Sequence, residues 1–420
     1  MFNRFLKATE LDTRMLGMVG ALLLIWIAFD ILSGGLFLTP RNLWNLSVQS
    51  SSVAIMATGM VLVIVTRNID LSIGSMLGFI GMVMGVIQAD LLPSLFGFDN
   101  PTTWIITLVG GLALGVVIGA FQGFLVAYLA IPSFIVTLGG LLVWRGGAWW
   151  VTNGQTIAPL DSRFRLMGGG PEGSIGEAWS WAVGLAACAA VVALLVSSRI
   201  RRKKFHFALR PVAAEVFLGG SACALILAAV AVVNAYPWPI GSVRRYAEAN
   251  HIAVPEGGLF IAHGIAIPVL IAIGVGVVMT FLARRTRFGR YVYAIGGNPE
   301  AAELAGVNTR WVIVKTFMLM GLLAAISGAI SIARLNAATN SEGTLAELLV
   351  IAAAVIGGTS LAGGVGTVAG AMLGAVLMQS LQSGMVLLGV DTPLQNIVVG
   401  AVLVLAAWLD VMYRRKVQRA

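Results

Sequence analysis

Apolar positions fall in unbroken runs of about twenty residues that show none of the alternation a strand requires, so each run reads as a helix. The runs lie near 15–33, 47–66, 70–88, 103–129, 132–152, 178–198, 211–235, 264–283, 311–333, 345–358, 367–390 and 394–412. Hydrocarbon leaves no partner for a free backbone N–H or C=O, which makes helices of this length the natural spanning element. The pattern predicts an all-α polytopic membrane protein with about 10–12 transmembrane helices. Two of the helices are interrupted, at "VTRNIDLSIGSMLG" (65–78) and "GGTSLAGGVGTVAG" (357–370). The interruptions superimpose without gaps, pairing Gly74 with Gly366, Ser75 with Thr367 and Gly78 with Gly370. The match is short and glycine-biased, and it fits either coincidence or the internal repeat that transporter halves carry.

Composition agrees with this pattern. The chain is 58% hydrophobic and 11% charged, with a mean hydropathy of +0.92; soluble domains carry roughly 25% charged residues. The net charge of +9 would suit nucleic acid if it formed a basic face with interleaved aromatics, but it forms clusters at the ends of apolar runs instead. Arg4, Lys7 and Arg14 precede the first run, and Arg199, Arg201, Arg202, Lys203, Lys204 and Arg210 sit between two others. Arg284, Arg285, Arg287, Arg290, Arg310 and Lys315 flank one loop, and Arg414, Arg415, Lys416 and Arg419 follow the last run. An even number of runs separates each cluster from the next, so all four can share one side, which the positive-inside rule makes the cytoplasm. Both termini are then cytoplasmic, and 89–102, 153–177, 236–263 and 334–344 face outward as turn-rich connections. Trp104, Trp179, Trp181 and Trp238 fall at outer boundaries, as interfacial anchors do. Cys188 and Cys223 lie inside apolar runs and imply neither a disulfide framework nor a metal site. The first run lacks a clear cleavage site and is expected to remain as a span.

Chemistry is sparse. Each interruption frees backbone groups beside short polar side chains, and such backbone survives at depth only where protein or water lines it. The candidate translocation path is therefore Asn68, Asp70, Ser72, Ser75, Gln122, Thr359, Ser360 and Thr367. Asp70 either lines that path or caps a helix starting at Leu71, and the two roles are compatible. Asp30, Arg145, Glu215 and Glu347 fall within a turn or two of predicted ends, where interfacial water relieves them. No histidine lies mid-run, no acid–base set converges, and no GxxxxGK[ST] phosphate loop occurs. The expectation is a protein with no catalytic residues, no metal and no cofactor of its own. Gly110, Gly111, Gly115, Gly119 and Gly123 form a stripe that allows close helix packing.

One polar stretch stands out against this background. "YVYAIGGNPEAAELAGV" specifies a two-turn helix at both ends: Asn298 as N-cap, Pro299 at the first position, Glu300 and Glu303 in the opening turns, and Gly306 past the end. A helix so short is marginal alone in water, so it lies either on its own protein or under a partner. Ala301, Ala302, Leu304 and Ala305 offer a small packing surface, and Gly296 with Gly297 reads as a flexible joint before it.

"GRYVYAIGGNPEAAELAGVNTRWV" resembles the coupling-helix loop of permease subunits of bacterial ABC importers for monosaccharides, the ribose/xylose/galactose branch. "VTRNIDLSIGS", "AFQGFLVAYLAIPSFIVTLGGLLVWRGGAWWVTNGQTI" and "VIGGTSLAGGVGTVAGAMLGA" resemble other segments of that family in the same order, and the chain departs from the family at Arg67 and Asn68. The resemblance implies a single permease domain over 1–420 in the bacterial inner membrane, with 284–310 as the cytoplasmic coupling loop. It further implies a cytoplasmic ATP-binding subunit that binds the nucleotide, a periplasmic sugar-binding protein, and a second permease, most simply an identical copy. Residues 178–258 add two spans to the ribose-type pattern and make the chain most similar to the xylose type. The competing expectations are an ABC permease for another small polar solute, such as a branched-chain amino acid, and a secondary sugar carrier.

Overall fold

The computed structural model describes residues 13–419 apart from 253–254 and 256–257. Arg4 and Lys7 lie outside the described residues, as do the side chains of Arg414, Arg415, Lys416 and Arg419. The chain forms α1 (Thr13–Leu32), α2 (Pro40–Val65), α3 (Ile73–Phe96, with a π-helical turn at Ile87–Leu91), α4 (Thr103–Ala127) and α5 (Ser133–Thr152). There follow α6 (Gly176–Lys204), α7 (Val212–Asn234), α8 (Ile240–Ala249), α9 (Ile267–Arg285), α10 (Arg287–Gly297) and α11 (Pro299–Leu304). The last four are α12 (Thr309–Leu335), α13 (Ala346–Ile356), α14 (Val368–Leu387) and α15 (Thr392–Arg419). Ten of the helices are long and apolar enough to cross a membrane, and the strand pairing among the described residues is confined to isolated bridges. The fold is all-α and polytopic.

Contacts between helix ends define two faces. Gly176 and Ser174 pair with Gly264 and Ala266, and the Trp44 indole N–H donates to Gly264 O at 2.9 Å, so the starts of α2, α6 and α9 share one face. Their opposite ends carry Arg199–Lys204 and Arg284–Arg290, which places these two basic clusters on the other face, as the parity of the runs requires. On that basic face Gly364 N–H donates to Val65 O at 3.0 Å. On the first face, Ile157 and Ala338 exchange backbone hydrogen bonds.

α2 is the most enclosed helix, with every side chain from Val53 to Val65 buried. It starts at Pro40, where the Thr39 hydroxyl accepts from Asn42 N–H, seven residues before the run that hydropathy outlines. α4 lies directly on α12: a Cβ at Gly115, Gly119 or Gly123 would meet the backbone of Gly321, Phe317 or Val314. This contact explains three glycines of the stripe, because only hydrogen leaves room for two backbones to approach; Gly110 and Gly111 face Ile87 and Met84 of α3 instead. Cys188 and Cys223 face each other across α6 and α7 as free thiols.

Two expectations change. The run near 345–358 is an eleven-residue helix, α13, about 16 Å long, which is half the hydrocarbon thickness. The crossing is completed by the preceding segment, expected to be an exposed turn. It descends from Ala338 until Glu342 and Gly343 pack against Gly78 and Gly74 of α3, where the Arg145 guanidinium donates to Asn340 O at 3.0 Å and Glu342 O at 2.9 Å. Arg145 is thus held by these carbonyls and not by interfacial water alone. Glu347 is likewise buried beside Gly74, within electrostatic reach of Arg145 and Asp70.

Candidate functional site

The helix read from Asn298 to Gly306 forms as α11. The Asn298 side chain accepts from Ala301 N–H at 3.0 Å, Pro299 takes the first helical position, and the end closes with Val307 N–H donating to Ala302 O across Gly306, whose φ is +80°. That left-handed turn is the reason for glycine there. Ala302 faces the protein, whereas Glu300, Ala301, Glu303 and Ala305 are exposed and Leu304 is 90% exposed.

The expected joint is absent. Gly296 and Gly297 complete the last turn of α10, and Gly296 is buried where a Cβ would strike Val65 O and Gly364 N. Glycine is needed here for close approach of three backbone segments. Around it, Arg67 donates through Nε to Gly296 O at 2.9 Å and through Nη2 to Gly297 O at 2.8 Å. The Tyr293 hydroxyl donates to Gly366 O at 2.7 Å, and burial pushes its pKa above the ordinary tyrosine value while Arg284 pulls the other way. α10 is therefore tied to the end of α2 through Arg67 and to the α13–α14 junction through Tyr293. The departure at Arg67 and Asn68 has a structural meaning. Arg67 is the clamp, with φ +63°, and the Asn68 amide turns back onto Thr66.

Apart from Asn68, the polar residues expected to form a path fall into two groups at these junctions, all buried except the half-buried Thr367. Asp70 Oδ1 accepts from Ser72 N–H at 2.8 Å and Ser72 Oγ at 2.6 Å, and Ser72 Oγ exchanges hydrogen bonds with the Gln122 amide. Asp70 thus supports a helix that starts at Ile73, two residues later than expected, with Ser72 as its N-cap. Ser75 Oγ returns to Ser72 O. In the second group, Thr367 caps α14 by accepting from Gly370 N–H at 3.1 Å, while the Thr359 and Ser360 hydroxyls are buried without a partner among the described residues.

A polar cavity of about 410 Å³ opens at the other end of the same helices, and none of those eight residues lines it. Its walls are Asn42, Asn45, Gln49 and Ser52 of α2, Ser331 and Arg334 of α12, Glu342–Thr344 of the descending loop, and Gln379, Gln382 and Ser383 of α14; Met56, Leu77 and Leu349 also line it. The volume lies in the range of small-molecule sites. Gln379 donates to Gln49 Oε1 at 3.0 Å and Ser383 to Asn42 Oδ1 at 3.2 Å, locking α14 against α2. The sequence held a signal for it: polar residues at helical spacing, 42-45-49-52 and 379-382-383, within otherwise apolar segments. Among the described residues no cluster of three or more metal-ligating side chains occurs.

The exposed helix α11, tied through α10 to α2 and α14, stands on one face as a lever arm, and the polar cavity opens on the other. A family model described as "Branched-chain amino acid transport system / permease component" matches residues 42–233 and 178–407. The chain is 38% identical over 407 residues to the xylose transport system permease protein of Escherichia coli (strain K12), covering 97% of this chain and 94% of that one. It is 36% identical over 410 residues to the xylose transport system permease protein of Haemophilus influenzae, covering 98% and 99%. It is 31% identical over 388 residues to the ribose import permease protein of Escherichia coli (strain K12), covering 92% and 91%. No solved structure matches the chain. The matches span almost the whole chain and take in both junctions, the lever and the cavity, and the chain belongs to the permease-component family that this model describes.

Proposed function

We propose that the chain is the membrane-spanning subunit of an ATP-driven importer that carries a monosaccharide, xylose or a similar pentose or hexose, across the bacterial inner membrane. The basic face is the cytoplasmic one, with both termini on that side. A separate cytoplasmic ATP-binding subunit docks on α11 and supplies the nucleotide energy, so the permease itself has no catalytic residue and no cofactor. A periplasmic sugar-binding protein delivers solute to the cavity face, and a second copy of the permease completes the core. Residues 284–310 are the coupling loop, and 178–258 are an addition to the ribose-type plan that the xylose type shares. The full-length relatives named for xylose and ribose support a sugar over a branched-chain amino acid.

The observation that carries this reading is the double attachment of α10. A push on α11 reaches α2 through Arg67 and α14 through Tyr293 and Gly366, and these two helices hold the cavity amides at their far ends. The test is Leu304→Glu, with Glu303→Arg beside it. Burying a leucine contributes about 1.5–3 kcal/mol, so losing that contact should weaken ATPase retention by about ten- to a hundredfold. Membrane insertion and thermal stability should change little, because Leu304 is 90% exposed. ATP-dependent sugar accumulation at wild-type level in both variants, or uptake by the purified permease with no ATPase present, would refute the assignment.

A further inference from the structure

We propose that the outer cavity is a solute-holding site on the permease itself, shaped for a neutral polyhydroxylated ring, with Asn45 and Gln382 as its hydroxyl-binding groups. The choice of a sugar as solute rests on the importer reading above; the site rests on the cavity.

Its amides and the Ser383 hydroxyl divide into two sets. Asn42, Gln49, Gln379 and Ser383 are tied to one another or to backbone, which fixes α2 against α14. Asn45 and Gln382 line the same space, and their side-chain amides form no hydrogen bond to any described residue. Each leaves a carbonyl oxygen and an NH₂ open, the pair of complementary groups that two neighbouring hydroxyls satisfy, since a hydroxyl both donates and accepts. The apolar part of the lining, Val53, Met56, Leu77, Ile330 and Leu349, offers C–H surface. A sugar ring is amphipathic in the same way, with hydroxyls around its edge and C–H groups on its faces. The charged groups, Arg334 and Glu342, lie within electrostatic reach of each other, so the cavity presents one charge of each sign and favours a neutral solute over an anion.

The position gives such a site a role. Met56 and Leu77 line the cavity and are themselves buried, so solute entering from the outer face meets apolar wall there. Holding it there takes modest affinity, since each neutral hydrogen bond contributes little net free energy. The cavity then makes a second selection after delivery.

The experiment uses the full permease in lipid nanodiscs with neither ATPase nor sugar-binding protein, and measures binding of radiolabelled D-xylose and D-ribose by equilibrium dialysis. Saturable binding is expected, weakened about 3- to 10-fold by Asn45→Leu and by Gln382→Met. Gln382→Asn, which retains the amide, should recover part of the affinity, and an unchanged thermal midpoint in each variant shows that the fold is intact. Absence of saturable binding, variants that bind as the parent does, or displacement of xylose by L-leucine as readily as by D-ribose overturns the proposal. The importer reading fails separately: it falls if the complete complex imports without ATP, whereas a complex that imports normally while its permease alone binds no sugar overturns only the site.

Discussion

Arg67 provides the sharpest test of mechanical coupling. Its guanidinium makes two hydrogen bonds, of 2.9 and 2.8 Å, to the last carbonyls of α10, where a cation also complements the helix dipole. Charge-assisted bonds contribute about 1.5–3 kcal/mol each when buried. Arg67 is exposed and solvent screens it, so about 1–2 kcal/mol for the pair is the working figure. Arg67→Met should shift the docked–undocked balance of α10 by about 5- to 30-fold. The assay is hydrogen exchange at the amides of Ala294–Asn298, read beside the ratio of sugar imported to ATP hydrolysed. Faster exchange and a lower ratio are expected, with ATP hydrolysis retained. Arg67→Gly separates coupling from stability. It removes the left-handed strain at φ +63°, about 1–2 kcal/mol, against a chain-entropy cost of about 0.5–1 kcal/mol, and still loses the guanidinium. It should fold at least as well as the methionine variant and uncouple as fully. Wild-type exchange and a wild-type transport ratio in both variants would refute the lever.

Further outcomes follow from the same geometry. Gly296→Ala drives a Cβ into Val65 O and Gly364 N and should destabilise by about 1–3 kcal/mol, whereas Gly297→Ala meets nothing within 4 Å and should be neutral in thermal denaturation. Arg145→Met leaves Asn340 O and Glu342 O without their donor and Glu347 without its nearby cation; a loss of about 1–3 kcal/mol is expected, the cost of acceptors left without a partner, with faster exchange across 339–345. Burial lowers the pKa of His263, which stacks on Tyr236 at 4.2 Å, below the ordinary 6.5. The unfolded chain therefore binds the extra proton, and the stabilisation is complete above about pH 6.5 and lost as pH falls through the lower folded value. The thermal midpoint should fall with acidification over that window, and His263→Phe should flatten the dependence.

Much of the architecture is legible in the runs themselves because spanning length and apolarity are strong constraints. The α11 caps are legible too, since Asn298, Pro299 and Gly306 act locally. What hydropathy obscured has a single physical origin: the residues that matter interrupt it. Asn42 and Asn45 depress the apolar average, so hydropathy starts α2 at 47, and those same residues line the cavity. Arg67 read as a departure because its partners, Gly296 and Gly297, are over two hundred residues away. Gly296 read as a joint because the sequence does not show which backbone will press against it. The descent of 339–345 was hidden because polar turn residues usually mean water, and here Arg145 supplies the hydrogen bonds that water would give.

The enclosure of α2 has one more consequence. With no proline after its first residue, this rod of about 39 Å lacks the commonest cause of a sharp kink, and Ser52 sits at its middle, where its carbonyl oxygen accepts from Ser327 Oγ of α12 at 3.0 Å. A stiff beam resting on a central fulcrum can only rock. Inward travel of its Arg67 end obliges the Asn42 end to swing the opposite way, so constriction at one mouth and widening at the other become a single see-saw motion.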